Sequence, residues 1–160
     1  MNKKDYSIKQ ETQIAEFLGW RRVAGSGSRP NAPGDIVSTE WLGECKTHIK
    51  SGCKIHFDLK IWSKIVDEAS SQFKQPAYFV DDGSQRINRT WVIFNLQDFN
   101  PDVMVSVRPD TKSLNFVSSD MVQDMINQLN GSKCSKLVYK FRLGVRFVMM
   151  TDLTTFKELI

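Results

Sequence analysis

The sequence predicts a single α/β domain with a mixed central sheet flanked by helices. Two segments carry an amphipathic period near 3.6, and short apolar runs bounded by turn residues lie between and after them. A length of 160 residues, 41% hydrophobic and 25% charged, suffices for one core of ordinary size. No low-complexity stretch or linker interrupts the chain. Residues 1–160 therefore read as one domain, with a core over about 7–99 and a C-terminal addition of strands and a helix over about 100–160.

The first helix is expected over Ser7 to Leu18, where Ile8, Ile14, Ala15, Phe17 and Leu18 share a stripe and Gly19 is placed to end it. Glu11, three residues before Ile14 and four before Ala15, falls on or beside that stripe. A carboxylate near a buried face needs a partner, and a metal or a cation would serve. Residues 20–24 can form a short strand, and 25–34, Gly-Ser-Gly-Ser-Arg-Pro-Asn-Ala-Pro-Gly, form a loop. Loops of that length in compact domains are often functional. A strand from Gly34 to Val37 then turns through Ser38-Thr39-Glu40 into a second arm, Trp41 to His48.

Leu59, Trp62, Ile65, Val66, Ala69 and Phe73 step by three and four, a helix from Asp58 to Phe73 with Asp58 as its N-cap. Ala77 to Val80 is a continuous apolar run, typical of a strand covered on both faces, and Thr90 to Leu96 a further strand, joined to it through Asp81-Asp82-Gly83-Ser84. Beyond lie a short strand at Leu114–Val117, a helix at Asp120–Leu129, and a pair of strands, Lys136–Leu143 and Val145–Met150, turning at Gly144. Residues 91–99 and 147–156 each read as an apolar strand running into a Leu-x-x-Phe turn. Trp41 and Trp62 lie on apolar faces and read as core residues, with base stacking as the alternative.

No apolar run approaches the roughly 20 residues of a membrane span, and the start, Met-Asn-Lys-Lys-Asp-Tyr, lacks a secretory apolar stretch; the expected location is the cytoplasm. Cys45, Cys53 and Cys134 cannot pair completely and show no zinc-ligand spacing, which fits a reducing compartment. The net charge of +4 is localised: between Trp20 and Lys64 lie eight basic residues (Arg21, Arg22, Arg29, Lys46, Lys50, Lys54, Lys60, Lys64) and four acids, and the remainder balances. A second run, Lys133, Lys136, Lys140, Arg142 and Arg146, contains no acid. Two basic segments suit a polyanion such as nucleic acid, although two solvated faces would look the same.

Glu44 and Lys46, two apart on the expected strand, share a face while Cys45 points to the other. Asp35, nine residues before Glu44 on the preceding arm, is close enough for the two carboxylates to converge. Paired carboxylates repel unless a cation binds them or one keeps its proton. Oxygen ligands select hard ions, and Mg²⁺ typically takes one or two carboxylates plus water and phosphate oxygens. Lys46 beside it would orient a nucleophilic water or stabilise charge at phosphorus. In outline this is a phosphodiester-hydrolysis site; a surface Glu/Lys pair on a solvated hairpin has the same spacing, because ExK is short and frequent.

Gly-Asp35-Ile-Val followed by Gly-Glu44-Cys-Lys46, behind a Gly/Ser loop and a helix bearing Glu11, resembles the PD-(D/E)XK nuclease superfamily. With Glu11-x-x-Ile-Ala-x-x-Leu-Gly-Trp20 and Arg-Arg-Val-Ala-Gly-Ser-Gly-Ser28, the chain is similar to the Holliday junction resolvase-like branch of archaea and phages over roughly residues 7–80. The resemblance implies a restriction-endonuclease-like core, Asp35, Glu44 and the Cys45 carbonyl as metal ligands, and Lys46 as the catalytic lysine. It further implies that Glu11 joins or supports the metal site and that Ser26 or Ser28 approaches the scissile strand. Gly34 stands where the family carries proline, with Pro33 one residue earlier, which leaves the turn before Asp35 open.

The candidate DNA contacts are Arg21, Arg22, Arg29, His48 and Lys50, with exposed charge as the competing reading of the arginines and a strand-end polar residue that of His48. His56 either contacts DNA or lies in a loop. The function these readings imply is a Mg²⁺-dependent endodeoxyribonuclease, with Mn²⁺ as a substitute, cutting branched DNA and resolving four-way junctions as a homodimer through strands after residue 90. If the chain is phage-encoded, its compartment is the host cytoplasm. The rivals are a restriction-like or nicking enzyme on duplex DNA and a non-catalytic DNA-binding relative.

Overall fold

The computed structural model describes residues 2–25, 32–52, 58–95, 104–107, 137–143 and 146–160, of which 104–107, 137–143 and 146–147 are described in backbone only. The expected strand at 114–117 and helix at 120–129 lie outside these residues.

Helix α1 spans Lys3–Leu18. It starts four residues before the expected Ser7, because Asn2 and Asp5 form a reciprocal capping box in which each side chain accepts the other's backbone N–H at 3.0 Å. It ends as expected, at Gly19, whose φ of +73° lets its N–H return to the Ala15 and Glu16 carbonyls. Three antiparallel strands follow: β1 (Arg21–Arg22), β2 (Ile36–Val37) and β3 (Trp41–Lys46). The arms at 20–24, 34–37 and 41–48 are thus present but shorter.

Helix α2 spans Leu59–Ser71, and the Asp58 carboxylate accepts the N–H groups of Lys60 and Ile61 at 2.9 and 3.4 Å. Its C-terminus corrects the expected span. Phe73 has φ +56° and is 99% exposed, while the Lys74 N–H closes onto the Ala69 carbonyl at 2.9 Å. Phe73 matches the helical spacing yet lies past the end, and Leu59 at the start is also exposed.

The crossover through α2 makes β4 (Gln75–Asp81) parallel to β3, and β5 (Thr90–Asn95) returns antiparallel. Strands β6 (Met104–Val107), β7 (Leu137–Leu143) and β8 (Arg146–Asp152) complete an eight-stranded mixed sheet in the order β1-β2-β3-β4-β5-β8-β7-β6. Strand β6 has no counterpart among the elements the sequence predicts. After β8 the expected Leu-x-x-Phe turn is instead a helix, α3 (Leu153–Leu159), because Asp152 caps it by accepting the Thr155 N–H at 2.9 Å.

Strand alternation sorts the core into two layers. Leu42, Tyr78, Val80, Trp91, Ile93, Val148 and Met150 meet Trp62, Ile65 and Ala69 of α2. On the other face Ile36, Cys45, Ala77, Phe79, Val92, Phe94 and Met149 meet Ile14 and Ala15 of α1 and Leu153 and Phe156 of α3. Trp62 is buried in the α2 layer; half-buried Trp41 packs in the α1 layer with its ring centroid 5.2 Å from that of Phe156. Among the described residues no helix is long and apolar enough to cross a membrane.

Candidate active site

The hairpin that carries Asp35, Glu44 and Lys46 depends on two glycines. Gly34 has φ +65°, and a Cβ there would lie 2.8 Å from Leu42 Cδ1. Proline cannot adopt that φ, so the turn before Asp35 takes a form that only its own residue type accepts readily. Gly43 faces Ile36 and Phe79 so closely that a Cβ would sit 2.7 Å from each.

Ile36 pairs with Gly43 and Val37 with Leu42, which puts Asp35 at the end of β2 across from Glu44. Its backbone is held on both sides: the Asp35 N–H donates to the Gly43 carbonyl at 2.7 Å, and its carbonyl accepts the Val23 N–H at 2.8 Å. The carboxylate accepts the Cys45 N–H at 2.8 Å. Asp35 and Glu44 are both buried.

Lys46 joins them. Its Nζ lies 2.5 Å from Glu44 Oε1, 3.1 Å from the Cys45 carbonyl and 3.9 Å from Asp35 Oδ2. Partial burial works to lower the Lys46 pKa, but Glu44 and Asp35 outweigh it and hold the amine above its ordinary value, fully protonated. Behind the strand, the buried Gln10 side chain of α1 donates to the Lys46 carbonyl at 2.9 Å. Sequence reasoning missed Gln10; its signal was a polar residue beside Glu11 on the buried edge of α1.

Glu11 is buried, and its carboxylate faces Arg22, 3.4 Å away on β1. Burial and the neighbouring Asp35 raise its pKa, with Arg22 and Lys46 pulling the other way. The partner that Glu11 was expected to need is thus the Arg22 guanidinium. Cys45 points into the α1 layer, where burial pushes its thiol well up, so the centre sees only its backbone, the N–H on the Asp35 carboxylate and the carbonyl on the Lys46 ammonium. Among the described residues no three His, Cys, Asp or Glu side chains converge closely enough to hold an ion by themselves. The oxygen set that does converge is two carboxylates and one carbonyl.

Arg21 is exposed on β1. Strand β3 stops at Lys46, so the alternation does not extend to His48, which packs with Lys50 against the Gly83 turn. Ser26, Ser28, Arg29 and His56 lie outside the described residues. Tyr78, opposite Glu44 in register, carries only an apolar signal in the sequence; burial holds its phenol well above the ordinary value, so it stays a hydroxyl.

No model of a known protein family, no characterised protein and no solved structure matches the chain. The site therefore stands on its own geometry. A cation lies among buried acids at the end of two strands, beside a carbonyl with spare acceptor capacity.

Proposed function

We propose that the chain is a Mg²⁺-dependent endodeoxyribonuclease of the PD-(D/E)XK type, with a restriction-endonuclease-like core, that cuts branched DNA and resolves four-way junctions. One observation carries the reading: the Lys46 ammonium contacts the Glu44 carboxylate and the Cys45 carbonyl and lies within ion-pair distance of Asp35. A single small cation thus already lies against the Asp35, Glu44 and Cys45 oxygens proposed as metal ligands, with Glu11 paired to Arg22 behind them. Two carboxylates and a carbonyl, with water and phosphate completing an octahedron, suit Mg²⁺ and also Mn²⁺.

When bound, such an ion supplies a lowered water pKa and positive charge against the phosphoryl oxygens. The protein's share is positional. Asp35 and Glu44 hold the ion, the Cys45 N–H fixes the Asp35 carboxylate, and Gln10 pins the backbone from which Lys46 extends. Lys46, released from the carboxylates, orients the nucleophilic water or stabilises charge at phosphorus. Glu11 supports the centre from α1, with Arg22 as its counter-charge. Paired cuts across a junction need two equivalent sites, hence a homodimer, with strands after residue 90 as the interface and cytoplasmic DNA as the substrate.

The test is a cleavage assay on labelled four-way junction, fork, linear duplex and single strand, with Mg²⁺ or chelator, using wild type, Glu44→Ala and Lys46→Ala. Metal-dependent paired cuts near the junction that vanish in both variants are the expected result. Cutting of linear duplex would replace this reading with a restriction-like or nicking enzyme. Binding without cleavage would leave a non-catalytic DNA-binding protein.

A further inference from the structure

The proposed centre is poorly suited to hold DNA by itself. Among the described residues its charged groups are three acids, Glu11, Asp35 and Glu44, and two cations, Arg22 and Lys46, and both cations are engaged with acids. Affinity for a polyanion must come from cations nearby that remain available.

Such cations lie on the same end of the sheet. Lys46 and Val80 are register partners in the parallel β3–β4 pair, so the segments that leave these strands, 47–52 and 82–89, emerge side by side. They are locked together. The Thr47 hydroxyl donates to the buried Asp81 carboxylate at 2.6 Å, and Gly83 passes so close to the Lys50 carbonyl that a Cβ would lie 2.0 Å from its oxygen. Between them is a cleft of about 330 Å³ lined by Ser51, Gly52, Asp82, Ser84, Arg86, Asn88 and Arg89.

Its lining is organised for an anion. Asp82, 6% exposed, accepts from Arg89 through two guanidinium nitrogens at 3.1 Å each, which fixes that side chain while leaving further N–H groups for another acceptor. The Ser84 N–H also donates to Asp82, at 3.0 Å. Burial works to raise the Asp82 pKa, but Ser84 and Arg89 more than offset it and keep the carboxyl ionised to below its ordinary range. Arg86 is exposed, and its guanidinium holds no hydrogen bond or ion pair among the described residues. Asn88 and Ser51 add exposed polar groups. With Asp82 balanced by Arg89, the cleft carries one positive charge, that of Arg86, with no counter-charge among the described residues.

Resting on the nuclease reading, we infer that the cleft of Ser51, Gly52, Ser84, Arg86, Asn88 and Arg89 is a phosphate subsite that grips the DNA backbone beside the scissile position. Two residues from Val80 to Asp82 span at most about 7 Å and adjacent strands lie about 5 Å apart, so Asp82 is within about 12 Å of Lys46, Cα to Cα. One strand of duplex carries a phosphate per about 3.4 Å of axis, so a cleft that begins at Asp82 takes a phosphate a few nucleotides from the cut. A divalent metal neutralises the acids at the centre, and Arg86 with Arg89 holds the strand in register.

The experiment measures binding of fluorescent four-way junction and linear duplex by anisotropy, in chelator, across a series of salt concentrations. It compares wild type, Arg86→Ala, Arg86→Glu and Lys9→Ala, the last removing an equal charge from an exposed position of α1. Arg86→Ala should weaken binding about tenfold at low salt and reduce the slope of log affinity against log salt by about 0.9, the value for one phosphate contact. Arg86→Glu should weaken it further, and Lys9→Ala should leave the slope unchanged. Wild-type affinity and slope in Arg86→Ala, with the wild type binding and cutting DNA, would overturn the subsite and leave the nuclease reading intact. Equal losses in Arg86→Ala and Lys9→Ala would also overturn it, because the effect would be net charge alone. A wild type that binds no DNA would overturn both.

Discussion

Replacing Lys46 with methionine keeps an unbranched apolar stem and removes the one cation among the described residues that lies against Glu44 and Asp35. The size of the loss is bounded from two sides. Exposed ion pairs contribute about 0–1 kcal/mol, whereas removing one partner of a buried pair costs about 3–5 kcal/mol. Here the lysine side chain is 42% exposed but its carboxylate partners only 9% and 12%. A cost near 2 kcal/mol follows, since solvent screens the lysine while the acids left behind remain desolvated. For a domain of this length that lowers Tm by roughly 4–8 °C. The second half of the prediction is sharper. A divalent cation drawn to these oxygens must displace the ammonium in the wild type but not in Lys46→Met. If the variant binds the ion tenfold more tightly, saturating Mg²⁺ or Mn²⁺ adds about 1.4 kcal/mol more to it than to the wild type, roughly 3–6 °C of Tm. Scanning calorimetry of both proteins, in chelator and in metal, reads all four values. A metal-induced rise in Lys46→Met no larger than in the wild type would refute the view that lysine and metal share one oxygen set.

Asp58→Ala removes the cap that accepts two N–H groups at the start of α2 and should cost about 1 kcal/mol, a Tm loss of roughly 2–4 °C. Gly43→Ala forces a Cβ to within 2.7 Å of Ile36 and Phe79 and should destabilise by about 1–3 kcal/mol in urea unfolding; an unchanged midpoint would mean that the α1 face of the sheet has more slack than its packing shows. Asp81 is buried, which raises its pKa despite hydrogen bonds from Thr47 and Gly83 that work to lower it. Its folded pKa lies above the unfolded one, so its contribution is fully present below the unfolded value and is lost as pH rises through the folded value. Asp81→Asn should therefore gain on the wild type as urea unfolding is repeated from about pH 3 to pH 7, and a stability difference independent of pH would contradict this.

What the sequence disclosed was mostly local. Asp58 and Gly19 mark helix ends through groups within a turn of them, and Glu44 with Lys46 share a face because strand alternation admits no other outcome. Phe73 misled for the same reason: its spacing is helical, but the left-handed turn that ends α2 takes it out to solvent. Helix α3 was legible in principle from Asp152 and Thr155, and was hidden by the apolar run that precedes it. The pairing of Glu11 with Arg22 and that of Thr47 with Asp81 join residues on separate elements, brought together only when α1 docks and when β4 returns beside β3. The arginines of the 82–89 turn belong to the same group, since nothing local ties them to a lysine about 40 residues earlier.

Strand β3 explains why the site forms where it does. Its alternation sends Leu42 and Glu44 toward the α2 side and Cys45 toward the α1 side, so one six-residue segment carries core contacts and acid chemistry together. Lys46, its last residue, is held from both directions: Gln10 takes its carbonyl from α1, and Glu44 and Asp35 take its ammonium. A residue held so firmly at its backbone can change the partner of its side chain without moving the strand. That is what a lysine needs if it first balances two buried acids and then yields them to a metal. The same clamp separates two kinds of Gln10 variant. Gln10→Leu removes the backbone grip while leaving every charged group in place, so it should reduce cleavage with little change in metal-induced stabilisation. Gln10→Glu, which puts a fourth acid against the centre, should disturb both.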